Sequence, residues 1–161
     1  FKYIYVINIS SSFMLKNIFP AKSLNVVIVE PNRLQGSQLC ELIKAQRPNL
    51  KVLLLENSEQ IFSLMYNEMQ IDLVFFDIEA ESNTDNLSLL KAIAPQTSLI
   101  HWSDYQHPEV IELLYGLGVN SFCTKESDAE IVLEATDLAT NYPQSLYMDQ
   151  KLLKCLPLLQ N

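Results

Sequence analysis

Four residues with side-chain chemistry close four apolar runs of this chain. Asp77 ends Ile71-Asp72-Leu73-Val74-Phe75-Phe76-Asp77, and Glu30 ends Asn25-Val26-Val27-Ile28-Val29-Glu30. Ser103 ends Ser98-Leu99-Ile100-His101-Trp102-Ser103, and Lys125 ends Val119-Asn120-Ser121-Phe122-Cys123-Thr124-Lys125. Two acids, a hydroxyl and an amine form a phosphoryl-handling set. One carboxylate can attack phosphorus, while the remaining groups position and neutralise the phosphoryl oxygens. Carboxyl groups brought together raise each other's pKa unless a cation stands beside them. Lys125 is therefore expected against Asp77. The alternative use of the same residues is a buried Asp77–Lys125 ion pair that serves the fold alone.

These residues need a scaffold that gathers strand ends. From Leu24 onward, short β-branched runs alternate with stretches whose apolar residues recur three and four apart, the pattern of βα units on a parallel sheet. Strands are expected near 24 to 30, 51 to 56, 71 to 77, 97 to 103 and 119 to 124. The helices between them carry apolar stripes such as Leu39, Leu42 and Ile43, or Val110, Leu113, Leu114 and Leu117. Pro108 suits a first helical turn, Gly118 a helix end, and Ser127-Asp128-Ala129-Glu130 reads as a capping box. Right-handed crossovers then give an α/β, flavodoxin-like (βα)5 fold with a doubly wound, five-stranded parallel sheet. In such sheets ligands bind outside the carboxyl ends of the strands.

Composition narrows the function classes. The chain has 161 residues, 48% hydrophobic and 19% charged, enough for one domain with its own core. A formal charge of −8 with eleven scattered Lys and Arg excludes a nucleic-acid surface on this chain. Cys40, Cys123 and Cys155 are odd in number and lack close paired spacing, which points to reduced thiols and a cytoplasmic location. Phe1 to Ile9 is apolar but far shorter than the ~20 residues of a membrane helix, and Ser10 to Met14 offers no signal-peptide cleavage site. Residues 1 to 23 are read as a leader of unknown role, 24 to 142 as the domain, and 143 to 161 as a tail or linker. His101 and His107 lack the spacing of paired metal ligands, and Trp102 reads as helix-facing packing.

The segments Val27-Ile28-Val29-Glu30, Leu73-Val74-Phe75-Phe76-Asp77, Ile100-His101-Trp102-Ser103 and Gly118 to Lys125 occur in the order and spacing of a two-component receiver domain. The chain resembles that family over residues 24 to 142, and its tail, Ser145 to Leu156, is similar to the segment that follows receivers of the NarL/FixJ (LuxR-type) transcription-factor branch. The resemblance implies that Asp77 is the phosphoacceptor, Lys125 the phosphate-pairing lysine, Ser103 the switch hydroxyl and Phe122 the aromatic switch. It implies Mg²⁺ held weakly by Glu30, Asp77 and the backbone carbonyl near Glu79. It further implies a sensor histidine kinase as donor, a homodimer, and transcriptional output through a DNA-binding domain, with no enzymatic turnover. Four features depart from the family pattern. Pro31 stands where a second metal-binding acid is usual, and Asp104 where a small residue follows the switch hydroxyl. The loop Ile78 to Thr84 lacks Pro and Gly, and Phe122 has no hydroxyl.

Two other classes fit parts of the pattern. A phosphorylation-independent pseudo-receiver, acting as a dimerisation or protein-interaction module, is favoured by Pro31 and Asp104. A flavin carrier shares the sheet but needs hydroxyls and glycines after the first strand, where this chain has Glu30-Pro31-Asn32-Arg33. The amphipathic tail is expected to pack either on the body or on a partner.

Overall fold

The computed structural model describes residues 23–79 and 84–154. The leader to residue 22, the loop 80–83, Cys155 and the rest of the tail lie outside the described residues. Strands and helices alternate: β1 (Leu24–Val29), α1 (Arg33–Gln46), β2 (Leu50–Leu55), α2 (Glu59–Tyr66), β3 (Leu73–Phe76) and α3 (Thr84–Ile93). There follow β4 (Ser98–Trp102), α4 (Pro108–Gly116), β5 (Ser121–Cys123), α5 (Ala129–Asn141), β6 (Tyr147–Met148) and α6 (Gln150–Leu153).

The sheet is wholly parallel, in the order β2-β1-β3-β4-β5-β6. The doubly wound architecture matches the expectation from sequence. The sheet carries a sixth strand, because Tyr147–Met148 of the tail pairs with β5 in the register Ser121↔Tyr147. Strand order reverses between β1 and β3, and at that switch point Glu30 and Asp77 emerge.

Alternation along the central strands divides the core between two faces. Val26, Ile28, Leu73, Phe75, Ile100 and Trp102 pack with Leu39 and Ile43 of α1 and with Val132, Ala135 and Leu138 of α5. Val27, Val29, Val74, Phe76, Leu99 and Phe122 pack with Ile61 of α2, Leu87 and Leu90 of α3, and Ile111 and Leu114 of α4. Because both faces are covered, β3 is buried at every position, which is why it reads as a continuous apolar run. Each such side chain contributes about 1.5–3 kcal/mol by leaving water.

Local signals explain the element ends that aim the site. Asn32 caps α1, its Oδ1 accepting the Gln35 N–H at 3.2 Å. Gly36 lets α1 approach the sheet, since a Cβ there would lie 2.5 Å from Leu54 Cδ1 and 3.3 Å from Glu30 Cβ. Helix α4 starts at Pro108 and ends in a Schellman motif: Gly118 has φ +96°, its N–H donates to Tyr115 O, and the Val119 N–H donates to Leu114 O. The capping box expected at Ser127 does not form. Asp128 takes the N-cap position of α5 with no side-chain cap bond, and Ser127 is engaged elsewhere.

Candidate functional site

Asp77, Glu30, Ser103 and Lys125 stand just beyond the ends of β3, β1, β4 and β5, and the parallel register brings them to one edge. The Lys125 ammonium lies 2.7 Å from Asp77 Oδ2, donates to Glu30 Oε2 at 2.7 Å and donates to Gln35 Oε1 at 3.1 Å. Both acids are almost fully buried, at 3% and 1% exposure. Their other oxygens are held by backbone: Asp77 Oδ1 accepts the Glu79 N–H at 2.9 Å, and Glu30 Oε1 accepts the Asn32 N–H at 2.8 Å. Ser103 is fully buried, hydrogen-bonds Asp77, and accepts the Tyr105 N–H at 3.0 Å.

This geometry sets the charge states. Burial alone would push the Asp77 carboxyl up. The Lys125 ammonium, the Ser103 hydroxyl and the Glu79 amide more than offset it, so Asp77 is held below the usual carboxylate range. Burial would likewise lower Lys125, but its bonds to Asp77 and Glu30 raise it above its ordinary value. At neutral pH the pair is carboxylate and ammonium. Asp77 is thus a deprotonated carboxylate with a cation at hydrogen-bond distance.

Lys125 is also reachable. A cavity of about 250 Å³ opens beside it between α1 and α5, lined among others by Gln35, Gln38, Leu39, Trp102 and Ser127. The ammonium lies 5.4 Å from the Trp102 ring centroid, a cation–π contact in addition to the packing role expected for that ring. Phe122 is buried in the core with its ring edge-on to His101, centroids 6.2 Å apart. Glu79 is exposed, and its contribution to the site is the backbone amide on Asp77.

The donor set offers a magnesium ion two carboxylates at most, enough for weak binding only. Mg²⁺ demands near-octahedral oxygen ligation. Here all four carboxylate oxygens of Glu30 and Asp77 already face a donor, and Lys125 lies between the two acids where a cation is wanted. Pro31 supplies nothing, and among the described residues no group of three His, Cys, Asp or Glu side chains converges as a metal cluster.

Several contacts that shape the site escaped the sequence reading. Gln35 gives Lys125 its third acceptor, from the first turn of α1. Asp104, which stands where a small residue is usual after the switch hydroxyl, accepts the Lys125 backbone N–H at 3.0 Å and so ties the β4–α4 loop to the β5–α5 loop. Gln106 faces His101 Nδ1 at 3.1 Å and donates to Ser103 O and Cys123 O. His101 lies behind Asp77, its Nε2 facing the Ile78 N–H at 3.4 Å, and burial pushes its pKa down to about 4 despite the bond to Gln106. Fully buried Asp149, in the tail, reaches Ser127.

No family model and no curated protein matches the sequence. Solved structures do match by shape. A LuxR-family DNA-binding response regulator from Silicibacter pomeroyi superposes with a TM-score of 0.66 at 18% identity, covering 80% of this chain and 98% of that one. A response regulator from Thermotoga maritima gives 0.63 at 20% identity over 71% of this chain and 94% of that one. The isolated REC domain of RcsB from Salmonella enterica serovar Typhimurium, solved with the phosphomimetic BeF3⁻, gives 0.71 at 13% identity over 84% and 99%. RcsB dimers bound to DNA give 0.71 at 12% identity over 84% and 68%. Among the described residues no helix is long and apolar enough to cross a membrane. By shape, topology and site position, this chain has the receiver-domain fold of response regulators.

Proposed function

We propose that the chain is the signal-input domain of a two-component response regulator in which Asp77 accepts a phosphoryl group from a sensor histidine kinase. The observation that carries this reading is the buried Asp77 carboxylate with the Lys125 ammonium 2.7 Å away at the switch point of the sheet. In the step, an Asp77 oxygen forms a bond to phosphorus as the bond from phosphorus to the donor nitrogen breaks, and the donor imidazole leaves with a proton. Lys125 moves its ammonium from carboxylate to phosphoryl oxygen, and the Ser103 hydroxyl donates to a second oxygen. The cavity between α1 and α5 reaches the Lys125 side of the site.

The output is proposed to be transcription through an associated DNA-binding domain, in a cytoplasmic homodimer. Exposed apolar side chains on and before α4, Tyr105 at 45% and Leu113 at 52%, support the dimer, while the edge of β5 is taken by β6. One observation favours a second reading, the phosphorylation-independent interaction module: Lys125 bridges both acids and Pro31 removes the second metal carboxylate.

Intact-mass measurement after incubation with acetyl phosphate and Mg²⁺ tests the proposal. A single, slowly acquired phosphoryl adduct that disappears in Asp77→Asn is the expected result. An adduct only on Pro31→Asp/Asp104→Ala would favour the interaction module, and no adduct on either protein would discard Asp77 as acceptor.

A further inference from the structure

The turn that carries Lys125 is fastened to the tail by a buried carboxylate. The Ser127 N–H donates to Thr124 O at 3.1 Å, and Ser127 Oγ accepts the Thr124 N–H at 2.9 Å, so the turn closes around Lys125. The Ser127 hydroxyl in turn donates to Asp149 Oδ2 at 2.5 Å. Asp149 is fully buried, and its other oxygen accepts the Lys151 N–H at 2.9 Å, capping α6. On either side of Met148 the tail continues the sheet, with the Tyr147 N–H on Asn120 O at 2.8 Å and the Asp149 N–H on Phe122 O at 3.1 Å. The Tyr147 hydroxyl donates to Glu134 of α5 at 3.0 Å, while Met148 and Leu152 pack in the core cluster that holds Phe122.

A carboxylate buried without a cation is costly unless its hydrogen bonds are complete. Among the described residues, the side chain that meets Asp149 is the hydroxyl of Ser127, two residues after Lys125. We infer that Ser127 and Asp149 are positioning residues for Lys125, and that through them the β6–α6 tail and the Asp77 site are thermodynamically coupled. Resting on the receiver reading, this names how the site is read out. When Lys125 leaves Glu30 for a phosphoryl oxygen, the turn at 124–127 shifts, the Ser127–Asp149 bond weakens, and β6 loosens from β5. Coupling is reciprocal, so the docked tail must also hold Lys125 against the acids.

Hydrogen–deuterium exchange on the full chain tests the coupling without needing phosphorylation. Lys125→Gln is expected to speed exchange at the Tyr147 and Asp149 amides about 5–150-fold, the range of typical coupling, with a smaller change in β2 at the far edge. Ser127→Ala leaves Glu30, Asp77 and Lys125 unsubstituted and provides the converse. It is expected to shift emission from Trp102, the chain's one tryptophan, while Ser127→Thr restores it. A tail that is merely structural would loosen in Ser127→Ala with no change in Trp102 emission or in the Thr rescue. That result overturns the inference, as does unchanged tail exchange in Lys125→Gln. Should Lys125→Gln fail to fold, the Trp102 response of Ser127→Ala and Ser127→Thr decides alone. Failure of Asp77 to accept phosphate leaves these results unaffected, so the two claims fail separately.

Discussion

Among the described residues, two buried ionic clusters join distant parts of the chain, and they are built to different stoichiometry. Arg47, at the end of α1, meets Asp137 of α5 through two parallel bonds of 2.6 Å, with side chains 13% and 12% exposed. One fork meets one carboxylate. Burial would lower the guanidinium's pKa, but the Asp137 bond raises it more. At the carboxyl edge of the sheet, one ammonium instead faces two carboxyl groups, 2.7 Å from each. The first cluster is saturated and acts as a clasp between helices. The second is short of positive charge, so an added phosphoryl group or a cation can change the Lys125 partners. A buried ion pair is weak evidence for function; an unbalanced one at a switch point is stronger.

The largest expected contrast comes from removing the cations. Lys125→Met strands two buried acids and is expected to cost about 3–5 kcal/mol, at the upper end of what breaking a buried pair costs, as read by urea unfolding. Arg47→Met strands one buried acid rather than two and should cost less, and Arg47→Met/Asp137→Leu should recover most of the loss. Equal losses from the two single variants would erase the distinction.

Next in size is a pH effect on the site side. His101 is pushed down to about 4 in the folded chain, against an ordinary value of 6.5. Its contribution to stability is complete above about pH 6.5 and is lost as pH falls toward 4, because the unfolded chain takes up the proton first. The loss is about 3 kcal/mol. Urea unfolding between those limits should show this slope, and His101→Gln should flatten it. The lowered Asp77 adds a further loss at lower pH, as pH falls through its folded pKa.

Smaller shifts test the imbalance from the other side. Asp77→Asn leaves Lys125 paired with Glu30 and is expected to destabilise only modestly, because the ionised Asp77 is favoured in the fold. Asp137→Asn, which takes the one carboxylate from Arg47, should destabilise more. The smallest effect concerns metal. Mg²⁺ titration followed by Trp102 emission should show only weak binding to the natural chain, and Pro31→Asp should tighten it at least about 10-fold by supplying a missing oxygen ligand. Equal affinity in both would show that Pro31 is not the limiting departure.

The residues at the strand ends were legible in the sequence for a physical reason. Strands buried on both faces leave unbroken apolar runs, and the first polar residue after each run falls at the edge where the site forms. Tertiary contacts left no such trace. Gln35 is paired with Lys125 across 90 residues, and β6 is too short for any periodicity. Ser127 shows local pattern losing to tertiary chemistry: its spacing to Glu130 fits a capping box, yet a buried carboxylate competes for its hydroxyl. Asp104 stands out in sequence as a departure after the switch hydroxyl, but its bond to the Lys125 amide is a tertiary contact that local pattern does not show.

Reductive trapping tests the central claim most directly. After incubation with acetyl phosphate and Mg²⁺, borohydride reduces an acyl phosphate to the alcohol with release of phosphate, converting the modified aspartate to homoserine, which peptide mass spectrometry locates. The expected product is homoserine at position 77, with Asp137 and Asp149 unchanged. Homoserine at another carboxylate, or none in either the natural chain or Pro31→Asp/Asp104→Ala, would contradict the assignment of the unbalanced cluster as the reactive one.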